Sequence, residues 1–309
     1  VREFKGKWAL ITGAASGLGL ALARKAADLG MSLLLVDMNP EGLRTAVQVI
    51  AESRTGKLLE QEIHSFVVDV SSSEQMQALC RKVQDQHVIP HLLFNNAGVA
   101  AGGLIWEHSP QEWQRILGVN LMGVVNGIHH FIPLMLECAA RDSKWQGHII
   151  NTASMAGLLT PPNMGLYNVS KHAVVALTET LYQDLALVSE QLSTSVLCPY
   201  FIPTQINQNF NASQSSGHSP APLTQSQIVG RQMLDKAVSS GKVSAQDLAQ
   251  IVFEAIENNR FYIFSHPQAL DNVQLRMQAI LEQKQPPDPF SKKPELGLQL
   301  RNALGSKLL

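Results

Sequence analysis

The sequence predicts a doubly wound α/β fold, with seven parallel strands in one sheet and helices on both faces. Short apolar, β-branched runs alternate with longer stretches of helical periodicity, the pattern of repeated strand-helix-strand units. A glycine-rich turn joins the first such run to the first helical stretch. Apolar residues make up 45% and charged residues 16% of the 309, enough to bury a core. One catalytic domain is expected over residues 1–285, with a flexible insertion over 204–240 that covers the substrate, and a tail over 286–309.

In order, strands are expected at Trp8–Thr12, Ser32–Asp37, Ile63–Asp69, His91–Asn95, His148–Thr152, Ser193–Cys198 and Arg260–Phe264. Helices are expected at Gly17–Leu29, Glu41–Ser53, Ser73–Gln86, Pro110–Cys138, Leu166–Glu190 and Ser244–Asn258. The uncharged run Ile116–Leu136 carries Asn120, Asn126, His129, His130 and Pro133. These are costly in lipid, so it reads as a helix buried in protein and no membrane contact is expected. From Thr204 to Gln227 the chain is rich in Gln, Asn and Ser, which suggests a mobile flap. Pro286, Pro287, Pro289 and Pro294 oppose a regular helix at the start of the tail.

The charge balance of 24 basic against 25 acidic residues argues against nucleic acid as a partner. Cys80, Cys138 and Cys198 are too scattered for a disulfide framework, and no Cys or His pair has ligand spacing, so no metal is expected. The N-terminus shows no signal-peptide pattern, and a reducing cytoplasm is the expected compartment.

Thr12-Gly13-Ala14-Ala15-Ser16-Gly17-Leu18-Gly19 lies between the first strand and helix. Glycines let the backbone approach a pyrophosphate, and the helix N-terminus behind them favours an anion. Asp37 ends the second strand eighteen residues after Gly19. A carboxylate there accepts hydrogen bonds from ribose hydroxyls and repels a 2′-phosphate; Ser16 and Met38 nearby are not basic. NAD is therefore expected over NADP. Asp69 and Val70, after the third strand, are candidate contacts for the adenine edge.

Asn95-Asn96-Ala97-Gly98, Asn120, Ser154 and Tyr167-x-x-x-Lys171 follow in order. With the glycine turn they make residues 4–265 resemble the soluble, single-domain branch of the short-chain dehydrogenase/reductase family. The resemblance implies a Rossmann-type domain, a nicotinamide cofactor and a homodimer or homotetramer. The chemistry of the residues agrees. Tyr167 and Lys171 share a helix face, and an ammonium beside the phenol favours phenolate, so Tyr167 exchanges a proton with an alcohol or carbonyl. Ser154, thirteen residues before Tyr167, donates to the substrate oxygen.

By resemblance, Lys171 also holds the nicotinamide ribose, and Asn120 interrupts its helix and holds a water in the proton relay. Asn96, Ala97 and Gly98 join a structural to a cofactor role. In the segment after Cys198, Pro199 begins the cofactor-side turn and Thr204 meets the carboxamide. Tyr200 stands where the family usually has glycine, which puts that turn in question and offers an aromatic wall. Cys198 reads as a small buried hydrophobe.

The loops beyond the strand ends carry Leu104, Ile105, Trp106, Met155, Leu158, Leu159, Met164, Tyr200, Phe201 and Phe210. With no arginine clamp among them, the expected substrate is a hydrophobic or aromatic secondary alcohol or its ketone. The insertion and the Phe261–Phe264 strand with a following helix are similar in layout to the Cα-dehydrogenases of lignin β-aryl ether breakdown. The alternatives are an NADP-dependent carbonyl reductase and a non-catalytic cofactor-binding regulator.

Overall fold

The computed structural model describes residues 1–53, 61–203 and 222–305. Seven strands form one parallel sheet in the order β3-β2-β1-β4-β5-β6-β7. They are β1 (Trp8–Thr12), β2 (Ser32–Asp37), β3 (Ile63–Val67), β4 (Leu92–Asn95), β5 (Gly147–Thr152), β6 (Leu192–Cys198) and β7 (Tyr262–Phe264). Leu33, Leu34, Leu35 and Val36 of β2 are all fully buried, as a strand covered on both faces requires.

On one face, α1 (Gly17–Asp28) packs beside α2 (Pro40–Ser53) and α8 (Ala245–Glu257). Phe253 of α8 meets Phe4 edge-on at 5.2 Å and Phe94 at 5.7 Å. The opposite face carries α3 (Ser73–Asp85), α5 (Gly123–Arg141) and α6 (Gly165–Val188), whose Met76, Phe131, Met135 and Leu185 pack with Leu34 and Leu93. The order reverses between β1 and β4, so their carboxyl ends open the crevice where ligands of such sheets bind.

The long apolar helix is not continuous. α4 (Pro110–Leu117) passes through a π-turn, Gly118–Met122, into α5. The Gly123 N–H reaches back five residues to Gly118 O. The run Pro110–Arg141 is long and apolar enough to cross a membrane, with half of its most apolar window buried inside the protein.

Two expectations change. β3 stops at Val67, short of Asp69, whose carboxylate instead accepts from Ser71 N–H and Oγ–H in the turn before α3. Within the expected flexible insertion, α7 (Gln225–Ser239) is a regular helix started by a capping box. Thr224 Oγ1 accepts from Gln227 N–H, and Gln227 Oε1 accepts from Thr224 N–H. Residues 204–221, including Thr204 and Phe210, lie outside the described residues.

After β7 comes α9 (Leu270–Leu281), with no buried residue. In the tail, Pro294 begins α10 (Pro294–Gly305), the first helical position being the one that tolerates a missing N–H. α10 packs back on α7, burying Leu300.

A buried histidine in the sheet gives the fold an acid limit. Ser195 Oγ–H donates to Arg260 O, so it accepts from His148 Nε2–H at 2.7 Å. Nδ1 is then the unprotonated nitrogen, buried without a partner. Burial drives the His148 pKa down to about 3. Burial and, secondly, Lys7 take His91 down to about 4. An unfolded chain binds these protons from pH 6.5 downward and the native one does not.

Stability is therefore complete above pH 6.5 and falls through about 4 towards 3, by on the order of several kcal/mol. Thermal unfolding across that window is expected to show a falling Tm. His148→Gln, which keeps a donor towards Ser195, is expected to flatten the slope; an unchanged slope would place the acid sensitivity elsewhere.

Candidate active site

The glycine turn crosses the end of β1 because its glycines admit conformations a side chain resists. Gly13 has φ +68° and Gly17 +54°. A Cβ on Gly13 would stand 2.9 Å from Ala97 Cα. Ser16, extended at φ −156°, opens α1 without a side-chain cap, while Leu18 packs on the core. Asp37 Oδ2 accepts from Ala15 N–H at 3.1 Å and Oδ1 from Asn39 N–H at 3.0 Å, so the carboxylate is fixed at the rim of the turn.

The segment after β4 is tied to the same turn through Thr12, the first residue of the glycine motif, whose side-chain role the sequence did not announce. Thr12 Oγ1 accepts from Asn96 N–H and Ala97 N–H and donates to Phe94 O. Asn96 spends its side chain on Thr12 O and Thr152 Oγ1. Asn95 bonds Asn151 across the sheet. The asparagines thus hold strand ends together, and Gly98 is left facing Asn120 and Lys171. A Cβ there would stand 3.4 Å from Asn120 Oδ1 and 3.5 Å from Lys171 Nζ. Val70 is buried, its carbonyl accepting from Asn126 Nδ2, a second helix asparagine the sequence reading left unassigned.

The π-turn carries Asn120 inward, fully buried. Its Oδ1 accepts from Val99 N–H at 2.8 Å, and its Nδ2 donates to Val99 O and to Ser170 Oγ, each at 3.0 Å. Ser170 was also missed; it donates to Tyr167 O one turn back on α6. One amide therefore ties α4–α5 both to the loop after β4 and to α6.

Tyr167 and Lys171 lie on the inner face of α6, 8% and 3% exposed. Lys171 Nζ donates to Thr152 O at 2.9 Å and sits 5.8 Å from the Tyr167 ring centroid. Burial pulls the ammonium down to about 8, with Cys198 opposing. Burial also pushes the Tyr167 phenol up, the nearby Ser154 hydroxyl opposing and Cys198 adding. This corrects the expected direction: in the protein alone, loss of water outweighs the stabilisation of phenolate.

Ser154 Oγ caps the short helix Met155–Gly157 by accepting from Ala156 N–H and lies 3.4 Å from Pro199 O. Pro199 O also accepts from Met155 N–H. Cys198 is fully buried with its thiol pushed up to about 12, so it is a packing group. Tyr200 N–H is held by Ser265 Oγ, and its half-exposed ring leans on Phe201 and His266.

The expected apolar lining divides. Met155 and Leu158 are buried with Val174 and Cys198 and belong to the core, whereas Ile105 and Trp106 are exposed. The strand-end turn, the asparagine motif and the Asn120–Ser154–Tyr167–Lys171 group therefore converge on one crevice.

The family model for short chain dehydrogenases matches residues 7–215. The chain belongs to the short chain dehydrogenase family. As a short chain dehydrogenase it is an oxidoreductase. It is 45% identical to a short chain dehydrogenase/reductase from Burkholderia phymatum whose crystal structure is in complex with NAD. The TM-score is 0.87, over 94% of this chain and 100% of that one. It is 32% identical to the CLA biosynthesis dehydrogenase/reductase of Lactiplantibacillus plantarum, over 91% of this chain and 95% of that protein. It is 29% identical to the 1-deoxy-11-beta-hydroxypentalenate dehydrogenase of Streptomyces exfoliatus, over 84% of this chain and 83% of that protein.

Proposed function

We propose that this short chain dehydrogenase transfers a hydride between NAD(H) and a hydrophobic or aromatic secondary alcohol or ketone, with Tyr167 as general acid and base. The observation that carries the reading is the Tyr167–Lys171 pair, buried together beside Ser154 and facing Gly98 and Asn120.

The residues fit a nicotinamide dinucleotide. The cradle over Gly13 and Gly19 is one a Cβ would fill, and the N-terminus of α1 behind it has no side-chain cap. Asp37 stands at its rim with exposed Met38 and Asn39 and no basic group in that segment, which supports NAD over NADP. When bound, the cofactor supplies the hydride acceptor or donor and, when oxidised, a positive charge.

In alcohol oxidation Tyr167 Oη takes the hydroxyl proton, and Ser154 Oγ–H holds the substrate oxygen. In ketone reduction Tyr167 donates that proton. Lys171 keeps a cation under the phenol ring and is oriented by Thr152 O. The exposed Ile105, Trp106 and Tyr200 suit an apolar substrate. The Streptomyces exfoliatus relative, whose name makes it the dehydrogenase of a hydroxylated pentalenate, supports an alcohol as the substrate.

A thermal-shift titration with NAD⁺, NADH, NADP⁺ and NADPH tests the cofactor. A ligand at about 100 times its Kd stabilises by roughly 2.7 kcal/mol. A rise with NAD⁺ and NADH alone is expected, followed by NADH formation from aromatic secondary alcohols. Asp37→Ala is expected to narrow the gap between the two cofactor pairs. A rise only with the phosphorylated pair would overturn the assignment.

A further inference from the structure

Three segments far apart in sequence meet in a buried polar knot beside the start of α6. Ser226, in the first turn of α7, donates from Oγ to Glu107 Oε2 at 2.7 Å and accepts from Leu104 N–H at 2.9 Å. Its carbonyl accepts from Asn163 Nδ2 at 3.0 Å. Gln227 is shared between two helix caps. Its Oε1 accepts from Thr224 N–H, while its Nε2 donates to Glu112 Oε1 at 2.9 Å. Glu112 Oε2 in turn accepts from Ser109 N–H and closes the capping box of α4. The N-termini of α4 and α7 are thus tied head to head.

Ser226 is 2% and Gln227 5% exposed, so their bonds are made away from water, and Thr224 adds contacts to Ser226 Oγ and Glu107. Backbone contact reinforces the joint: a Cβ on Gly102 would stand 3.1 Å from Gly230 Cα. Gly103, at φ +134°, donates its N–H to Asn163 O. Beyond the joint, Ile105 covers Gly165, the first residue of α6 and two before Tyr167; a Cβ on Gly165 would stand 2.9 Å from the Ile105 side chain.

We propose that Ser226 and Gln227 are positioning residues that hold the 103–107 loop over the start of α6 and so set the size of alcohol the site accepts. The proposal rests on the oxidoreductase reading, but the joint itself is read without turnover. The substrate-facing loop is fixed by α7 at one side and by α4, which runs on to Asn120, at the other. Neither residue needs to touch substrate: loosening the joint frees Ile105 and Trp106 to move while Tyr167 and Lys171 keep their own partners.

The test uses the full chain with Ser226→Ala, Ser226→Thr and Gln227→Leu. Hydrogen exchange reads the joint. Leu104 N–H is expected to exchange about tenfold faster or more in Ser226→Ala, with the β-sheet amides unchanged. Steady-state kinetics with a bulky aryl alcohol and with propan-2-ol reads selection. In Ser226→Ala and Gln227→Leu the bulky-to-small ratio of kcat/KM is expected to shift by about five- to tenfold, through KM, with kcat and NAD⁺ affinity kept.

Ser226→Thr, which keeps the hydroxyl, is expected to restore both readouts. Unchanged exchange at Leu104, or faster exchange with an unchanged selectivity ratio, overturns the proposal. A wild-type chain that turns over no alcohol or ketone overturns the proposed function and the selection role with it, and the exchange result then stands for the joint alone.

Discussion

Tyr167→Phe is expected to bind NAD⁺ as the wild type does and to lose about a hundred- to ten-thousand-fold in kcat, the range general acid–base catalysis supplies. The substitution removes one oxygen and leaves the ring in place under Lys171, so packing and the Lys171–Thr152 bond persist. What disappears is the phenol oxygen that bonds Ser154.

The wild type carries a related signature. Burial holds the phenol protonated, above its ordinary value near 10. Oxidation needs the deprotonated form, so its rate is expected to rise with pH into the alkaline range, while reduction, which needs the proton, gains nothing from the same rise. Single-turnover measurements in both directions check this. Wild-type activity in Tyr167→Phe would remove the residue from proton transfer.

Gly19→Val is expected to abolish measurable NAD⁺ binding, a loss on the order of a hundredfold or more, with a stability cost of about 1–3 kcal/mol. The reason is that the added carbon would overlap the Gly13 carbonyl, which is backbone, and stand 2.8 Å from Asn96 Nδ2. A flexible side chain turns aside; a carbonyl in a turn with φ +68° at its own residue moves only with the turn. The start of α1 must then lift from the loop, spoiling the approach on which dinucleotide binding depends. Calorimetric titration alongside thermal unfolding separates the two effects. Tight binding by the variant would show that the cofactor does not use this turn.

The alternation of strands and helices was legible because parallel strands buried on both faces become unbroken apolar runs, as Leu33–Val36 shows. The candidate catalytic group was legible because its motifs stand in the order the family resemblance implies and because a phenol beside an ammonium is proton-transfer chemistry. Less visible were residues whose role is a relation between distant segments. Asn126 and Ser170 look like ordinary polar positions until the chain folds, and the hydroxyl of Thr12 shows its partners only then.

α7 was hidden because the polar sequence before it suggested a flap. Its start signal, Thr224 with Gln227 three residues on, is short, and its partners lie more than a hundred residues away. The phenol's upward shift was missed for a different reason. The sequence announces the ammonium but not the depth at which both groups are buried.

The π-turn has a consequence for the phase of the whole rod. At roughly 100° per residue, an unbroken α-helix would place Met135 about 100° around the axis from Ile116. Absorbing one extra residue in Gly118–Met122 brings the two into line, and both are fully buried. The wide turn therefore lets Ile116, the buried residue of α4, share a side of the rod with Met135 of α5, while Asn120 inside it bonds the neighbouring segments. Deleting any one residue between 118 and 122 would straighten the rod and roll one of its halves out of the core.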